Sequence, residues 1–139
     1  MIIDEVMKEA STLGACMNLS GVKDWKRFVN LFFSPMGREF CEANNFPTID
    51  QFRTMKDEAG DYNVFVDSGN IELKNGEQIA LVGDTNADLF FDDNSSVHKV
   101  ILMHGAKARI KATHYTVILL VNMGECEVEI EKDETVKIL

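Results

Sequence analysis

The chain has 139 residues, of which 45% are hydrophobic and 27% are charged, and its formal net charge is −9. This length and composition are typical of one globular domain that buries its own core, and they argue against a disordered chain. The excess of acidic residues repels the phosphates of nucleic acids and anionic membranes, so we expect neither as a partner.

The three cysteines, Cys16, Cys41 and Cys126, are too widely spaced to form a C-x-x-C motif, which excludes a zinc ribbon and a redox motif of that kind. We expect free, buried thiols in a reducing compartment. The first residues lack the basic start and long apolar stretch of a secretory signal, and no apolar run reaches the roughly 18 residues of a membrane span. These features predict a cytoplasmic protein.

Residues 1 to about 60 show the spacing of apolar residues that is typical of helices. A first helix is predicted from Ile2 to Leu13, with Gly14 at its end. Ser20 is the expected cap of a second helix, whose apolar face runs from Val22 to Phe33. Two more helices are predicted after it.

The third helix begins at Ser34-Pro35, because proline suits the first helical turn, and it ends at Asn44-Asn45. Thr48 and Gln51 form the pattern of a capping box at the start of the fourth helix. Gly60 is the expected C-terminal cap of that helix. The N-terminal part therefore contains about four short helices.

From residue 62 onward the apolar spacing changes to the alternation of β-strands, with turn residues between the segments. Nine strands are predicted: Asn63–Asp67, Ile71–Lys74, Gln78–Val82, Ala87–Phe91, Val97–Met103, Ala106–Ala112, Thr116–Val121, Glu125–Glu131 and Thr135–Leu139.

The strands repeat at fixed intervals, because Ala108, Ile118 and Val128 are ten residues apart, whereas Ile71 and Ile79 are eight apart. Two architectures fit this repeat. One is a short β-solenoid, in which equivalent positions stack in successive coils and the closer spacing gives a tighter first coil. The other is an antiparallel meander that closes into a sandwich or barrel.

Charge favours the solenoid. Three alternate residues of one predicted strand are basic, and three residues that follow twenty positions later are acidic: Lys107, Arg109 and Lys111, then Glu127, Glu129 and Glu131. In a solenoid of about twenty residues per coil these two strands become neighbours and their charges pair. In a meander an apolar strand lies between them and the pairing is lost.

We therefore predict an α+β chain that forms a single domain, 1–139, with a helical part over 1–60 packed on a β-repeat part over 61–139. The other face of the solenoid is apolar and has to be covered, by the helices or by a partner. We expect the partner to be another protein or a second copy of the chain. The predicted interaction surface consists of Val97, Ile101, Met103, Val117, Leu119 and Val121.

His104 and His114 occupy the same position of the ten-residue repeat, so stacked coils bring them together as candidate metal ligands. Asp84 and Asp88 resemble the opening of a calcium loop, but Leu89 replaces the required glycine and the closing glutamate is absent. Turn residues without a ligand role are the competing interpretation of all four. The prediction is therefore that no metal is bound, with these four residues as the candidates to test.

Nucleophile motifs, a Walker loop and a dinucleotide-binding glycine motif are absent from the sequence, so we predict no catalytic residues and no cofactor. The leading hypothesis is a non-enzymatic interaction or structural protein. The alternative is a metal- or small-ligand-dependent enzyme that uses the turn histidines and aspartates. A third hypothesis is nucleic-acid mimicry by the glutamates from Glu125 to Glu131.

Five segments resemble a group of small uncharacterised bacterial proteins associated with gut bacteria and their prophages or mobile elements. The resemblance extends over most of the chain from about residue 25. It implies no site residues and no activity, but it suggests an accessory role in a phage or mobile element. The segments are Phe40-Cys41 to Asn45-Phe46-Pro47-Thr48, Val66-Asp67-Ser68-Gly69-Asn70-Ile71, Ala80-Leu81-Val82-Gly83, Thr85-Asn86-Ala87, and Leu102-Met103-His104-Gly105-Ala106-Lys107-Ala108.

Overall fold

The structure is a computed structural model that describes Lys8, residues 25–124 and residues 126–139. The chain divides into two compact units, residues 1–62 and residues 63–139. The predicted first helix, the cap at Ser20, Cys16 and Glu125 lie outside the described residues. The boundary between the units falls close to the predicted change from helices to strands.

The described part of the first unit contains four helices: α1 (Trp25–Phe33), α2 (Pro35–Asn44), α3 (Ile49–Thr54) and α4 (Lys56–Gly60). Helix α1 buries Phe28, Val29, Phe32 and Phe33, which recur at the spacing of one helical face. Every helix in the described ranges is too short or too polar to cross a bilayer.

The predicted caps of α2 and α3 are confirmed. The Ser34 hydroxyl accepts a hydrogen bond from the Gly37 N–H at 3.1 Å, and Pro35 occupies the first turn of α2. Thr48 and Gln51 form the reciprocal capping box, in which the Thr48 N–H donates to Gln51 Oε1 at 2.8 Å. These bonds use N–H groups that a helix start leaves without an intrahelical acceptor.

The last predicted helix is divided in two, which corrects the prediction. Met55, the residue between α3 and α4, leaves the helical conformation with φ −95° and ψ 7°. Its side chain is fully buried. Gly60 is the last residue of α4, and the cap position falls on Asp61 with φ −64°. The glycine therefore does not serve as the expected left-handed cap.

All nine predicted strands are present among the described residues of the second unit. They are β1 (Val64–Val66), β2 (Gly69–Lys74), β3 (Gln78–Val82), β4 (Thr85–Phe91), β5 (Val97–Met103), β6 (Lys107–Ala112), β7 (Val117–Asn122), β8 (Glu127–Lys132) and β9 (Lys137–Ile138).

The strands form two parallel sheets that the chain visits in turn. Sheet A has the order β1-β3-β5-β7-β9, and sheet B has the order β2-β4-β6-β8. One coil of the chain consists of a sheet-A strand and the sheet-B strand that follows it. The first to fourth coils are therefore β1–β2, β3–β4, β5–β6 and β7–β8. This winding is a β-solenoid of about four turns, and the antiparallel meander is excluded.

The pairing register confirms the tighter first coil. Ile71 lies beside Ala87, which is 16 residues later (87 − 71). Ala87 lies beside Ala108, 21 residues later, and Ala108 lies beside Val128, 20 residues later. Equivalent residues of successive coils thus lie side by side.

Alternate residues of each strand point into the solenoid and form one continuous core. Leu81, Leu89, Leu102, Ile110 and Ile118 are fully buried there. Burying each such side chain contributes about 1.5–3 kcal/mol relative to leaving it in water. The other residues of each strand point outward, and they form the two faces that are relevant to function.

Candidate interaction surfaces

The outer face of sheet B carries the predicted charge ladder. The β6 and β8 strands are neighbours, and Lys107, Arg109 and Lys111 lie beside Glu127, Glu129 and Glu131 respectively. The corresponding N···O distances are 3.6, 3.4 and 3.7 Å. This arrangement confirms the predicted charge pairing between strands twenty residues apart.

The side chain of Arg109 forms ion pairs with residues of both neighbouring strands. Its Nε lies 3.4 Å from Glu129 Oε2 on β8 and 4.0 Å from Asp88 Oδ1 on β4. The two partners lie on opposite sides of β6 in the sheet. An outward charge in the middle of the sheet is thus shared between the two flanking strands.

The fourth coil is less closed than the coils before it. Ile130 has the same inward position as Ile110 of the third coil, but Ile130 is 42% exposed whereas Ile110 is 0% exposed. Val128 is half-buried, whereas Ala108 at the equivalent position is buried. The interior of the solenoid is therefore open to solvent beside β8.

The backbone of β8 is open at the same place. This strand is at the edge of sheet B, with β6 on one side and no strand of the described ranges on the other. An edge strand presents N–H and C=O groups that have no ladder partner on the free side. The open interior and the open backbone edge are thus adjacent.

The predicted apolar surface lies on the outer face of sheet A. Val97 pairs with Val117, and Ile101 pairs with Val121, so these residues form neighbouring rows as expected. Their exposure differs. Val97 is 46% exposed, Val117, Leu119 and Val121 are half-buried, and Ile101 and Met103 are fully buried.

The two candidate metal-binding histidines are placed apart. His104 precedes strand β6 and His114 follows it, so the six residues of that strand lie between them. The reason is that ten residues are half a coil of this solenoid, and residues half a coil apart belong to opposite sheets or opposite turns. Both have left-handed backbone conformations in turns, with φ 57° and 59°.

The turn aspartates have structural contacts. The Asp84 N–H donates to Asp67 Oδ1 at 2.8 Å, which ties two successive coils together, and Asp88 faces Arg109. A hydrogen bond from Asn75 lowers the pKa of Asp92, and a hydrogen bond from Ser95 lowers the pKa of Asp93. Within the described ranges, no group of three or more His, Cys, Asp or Glu residues has the geometry of a metal site.

His98 has a role that the sequence interpretation missed. Its ring is fully buried, with Nδ1 2.9 Å from the Gly76 carbonyl oxygen and Nε2 3.1 Å from the Asp93 carbonyl oxygen. The ring also packs against Phe91 at a centroid distance of 4.9 Å. His98 takes an inward position of β5, so strand alternation was the signal that identifies it as a core histidine.

The two described cysteines, Cys41 and Cys126, are free and buried, as predicted. Burial raises the pKa of the Cys41 thiol to about 12. At neutral pH this thiol is therefore protonated and is a poor nucleophile. Cys126 has its thiol 3.5 Å from the Met123 carbonyl oxygen, which is a structural contact.

A shallow hollow of about 270 Å³ lies beside Phe90 on the outer face of sheet B. Lys111 Nζ is 6.0 Å from the centre of the Phe90 ring. The two lysines of the hollow pair with carboxylates, since Lys74 lies 3.7 Å from Asp92 and Lys111 lies 3.7 Å from Glu131. Their charges are thus already compensated within the chain.

The chain matches no protein family, no curated protein and no solved structure. Its function is therefore inferred from its own geometry.

Proposed function

We propose that this protein is a non-enzymatic interaction protein, and that the open side of the fourth coil, around β8, binds a protein partner. The observation that carries the proposal is the exposure of Ile130 in a position that is fully buried in the preceding coil. An inward apolar side chain gains the stabilisation of burial only when another chain segment covers it.

Apolar surface on sheet A, at the same end of the solenoid as β8, supports the proposal. Leu139 is 63% exposed, and its N–H donates to the Ile118 carbonyl oxygen at 2.8 Å, which places it next to β7. The half-buried Leu119 and Val121 lie on the outer face of that same strand. Apolar surface that borders an open sheet edge favours a partner over water. We further propose an accessory role in a phage or mobile element, which is the context that the resemblance noted in the sequence suggests.

The alternative of a metal- or ligand-dependent enzyme is less well supported. It requires His104 and His114 to converge, whereas β6 separates them. It also uses Asp88, which faces Arg109 in the charge ladder. Nucleic-acid mimicry is weakened as well, since each of the three ladder glutamates faces a cation on β6.

The proposal is tested with two variants that make the same chemical change at different places. Ile130→Glu introduces a carboxylate into the open coil, and Met36→Glu introduces one on helix α2, where Met36 is 55% exposed. Each protein is examined by sedimentation velocity for self-association and by affinity capture from host lysate. Circular dichroism establishes that the variants are folded, and Leu139→Glu replaces Ile130→Glu if the latter unfolds.

We expect the wild type and Met36→Glu to form the same complex, and Ile130→Glu to lose it. A complex that survives Ile130→Glu and Leu139→Glu unchanged would overturn the proposal. So would a wild-type protein that stays monomeric and captures no partner.

A further inference from the structure

We propose that the occupant of the β8 edge is an extended segment of another protein in which basic and apolar residues alternate, and which adds to sheet B as the next parallel strand. This inference rests on the proposed function, because it names the partner's chemistry at the same open coil. Strand addition at an exposed edge obtains its affinity from main-chain hydrogen bonds and its specificity from alternate side chains.

The outward side chains of β8 favour cations over anions on an added strand, although each of its three glutamates already pairs with a cation of β6. Glu127, Glu129 and Glu131 alternate along it, and each is compensated only from the β6 side among the described residues. Arg109 demonstrates that a charged group of this sheet engages both neighbouring strands. Basic residues at alternate positions of an added strand would repeat the β6 pairing on the free side.

The inward side chains of β8 require apolar residues at the positions between. Val128 is half-buried and Ile130 is exposed, and both face the interior of the solenoid. In β6 the equivalent positions are Ala108 and Ile110, between the three cations. The sequence of β6 itself, Lys-Ala-Arg-Ile-Lys-Ala, is therefore the pattern that fits against β8.

A second copy of the chain fits this edge less well. Two copies related by a twofold axis would place β8 against β8, with the glutamates of both strands side by side, and like charges on paired strands are destabilising. A head-to-tail arrangement would place β2 of one copy on β8 of the other. In register, that arrangement places Lys74 beside Glu131 but Glu72 beside Glu129. One attraction and one repulsion offset each other.

The net charge of the chain also favours a basic partner. At −9, the protein attracts basic segments and repels acidic ones over several ångströms of solution. Electrostatic complementarity of this kind speeds association and selects the partner.

The test uses a synthetic peptide with the sequence of residues 106–113, AKARIKAT, carrying a fluorescent label, and measures its binding by anisotropy. One control peptide has the same composition without alternation, AKKRIAAT. A second control peptide, AEAEIEAT, reverses the charges. The protein variants are Glu129→Gln on β8 and, as the matched control, Glu72→Gln at the opposite edge of the same sheet.

We expect the alternating peptide to bind and both control peptides to bind at least tenfold more weakly. Glu129→Gln should weaken binding roughly two- to fivefold, as the loss of one cross-strand charge pair predicts, and Glu72→Gln should leave it unchanged. Raising the salt concentration to 0.5 M should weaken binding of the alternating peptide to the wild-type protein, because salt screens exposed charges.

Equal binding of the two basic peptides, or an equal loss in Glu72→Gln, would overturn the inference, since the attraction would then be general rather than located at β8. Absence of peptide binding, together with a complex that depends on Ile130, would overturn the inference and leave the proposed function standing. A self-complex that depends on Ile130 and does not yield to the peptide would identify the occupant as a second copy. If the protein neither binds the peptide nor forms a complex that depends on Ile130, both this inference and the proposed function are contradicted.

Discussion

The third and fourth coils of the solenoid have nearly the same residue pattern but different surroundings. Strand β6 alternates outward cations with Ala108 and Ile110, and β8 alternates outward anions with Val128 and Ile130. The β6 strand lies between two strands and buries its apolar residues, whereas β8 has a neighbour on one side within the described ranges. In a solenoid, the burial of a residue is thus decided by the next coil as much as by its own strand.

The largest expected effect comes from truncating the equivalent isoleucines. Ile110→Ala should lower the free energy of unfolding by about 2–5 kcal/mol, because it leaves a cavity in a fully buried site. Ile130→Ala should lower it by less than about 1 kcal/mol, because solvent already reaches that side chain. Urea denaturation measures both. Equal losses would show that the fourth coil is as closed as the third.

The next effect concerns the hydrogen bonds within the second and third coils. His98→Phe keeps a ring in the core but removes the imidazole N–H that donates to a facing carbonyl oxygen, that of Gly76 or that of Asp93 according to the tautomer, so we expect a loss of about 1–3 kcal/mol. In the fourth coil, Thr135 Oγ1 accepts from the Tyr115 N–H at an exposed site. Thr135→Val should therefore cost less than His98→Phe. The reverse order in chemical denaturation would contradict this assignment.

A smaller effect is expected from the charge ladder that joins the third and fourth coils. Arg109 and Glu129 are both more than half exposed, so a double-mutant cycle with alanine at each should give a coupling of about 0.2–1 kcal/mol. The coupling should decrease in high salt. A coupling of zero at low salt would mean that the ladder specifies the register without contributing measurable stability.

The smallest expected effect is a change in titration at a turn. Asn75 Nδ2 donates to Asp92 Oδ1 at 2.7 Å, and this bond between coils is the largest cause that lowers the pKa of Asp92. Asn75→Ala should raise that pKa toward its ordinary value of 3.8. The pKa of Asp133 is lowered by Thr135 of the same turn and should stay unchanged. Carbon-detected NMR titration distinguishes the two carboxyl groups.

The lowered pKa of Asp92 also makes the free energy of unfolding depend on pH. A carboxyl whose pKa is depressed in the folded state stabilises the fold above its unfolded pKa, and it loses this contribution as the pH falls through the folded value. Asn75→Ala should therefore reduce the stability difference between neutral and acidic pH. An increased difference would contradict the hydrogen bond as its cause.

The winding of the β half could be predicted from the sequence because charge and spacing both report on neighbouring strands. Lys107 and Glu127 had to lie side by side for their charges to pair, and they do. The caps at Ser34 and Thr48 were predictable because they depend only on residues within one turn. Local chemistry and a strict repeat thus fix much of the fold.

The remaining features depend on long-range packing, which the pattern does not encode. Val128 and Ile130 have the same alternation as inward residues of a closed coil, so nothing in their spacing shows that the fourth coil is open. His104 and His114 share a repeat position, but a ten-residue repeat is half a coil and places them at opposite ends of β6. The break at Met55 is likewise accompanied by the full burial of its side chain.

Docking of a strand at β8 is tested most directly by amide hydrogen exchange of β8, measured by NMR with and without the AKARIKAT peptide. In the free protein, we expect amides of β8 that point away from β6 to exchange quickly, because an edge strand leaves them open to water. Saturating peptide should slow the exchange of those alternate amides and leave β2 unchanged. Protection of β2 instead of β8, or no change at β8 while the peptide is bound, would contradict the claim that the fourth coil is the docking edge.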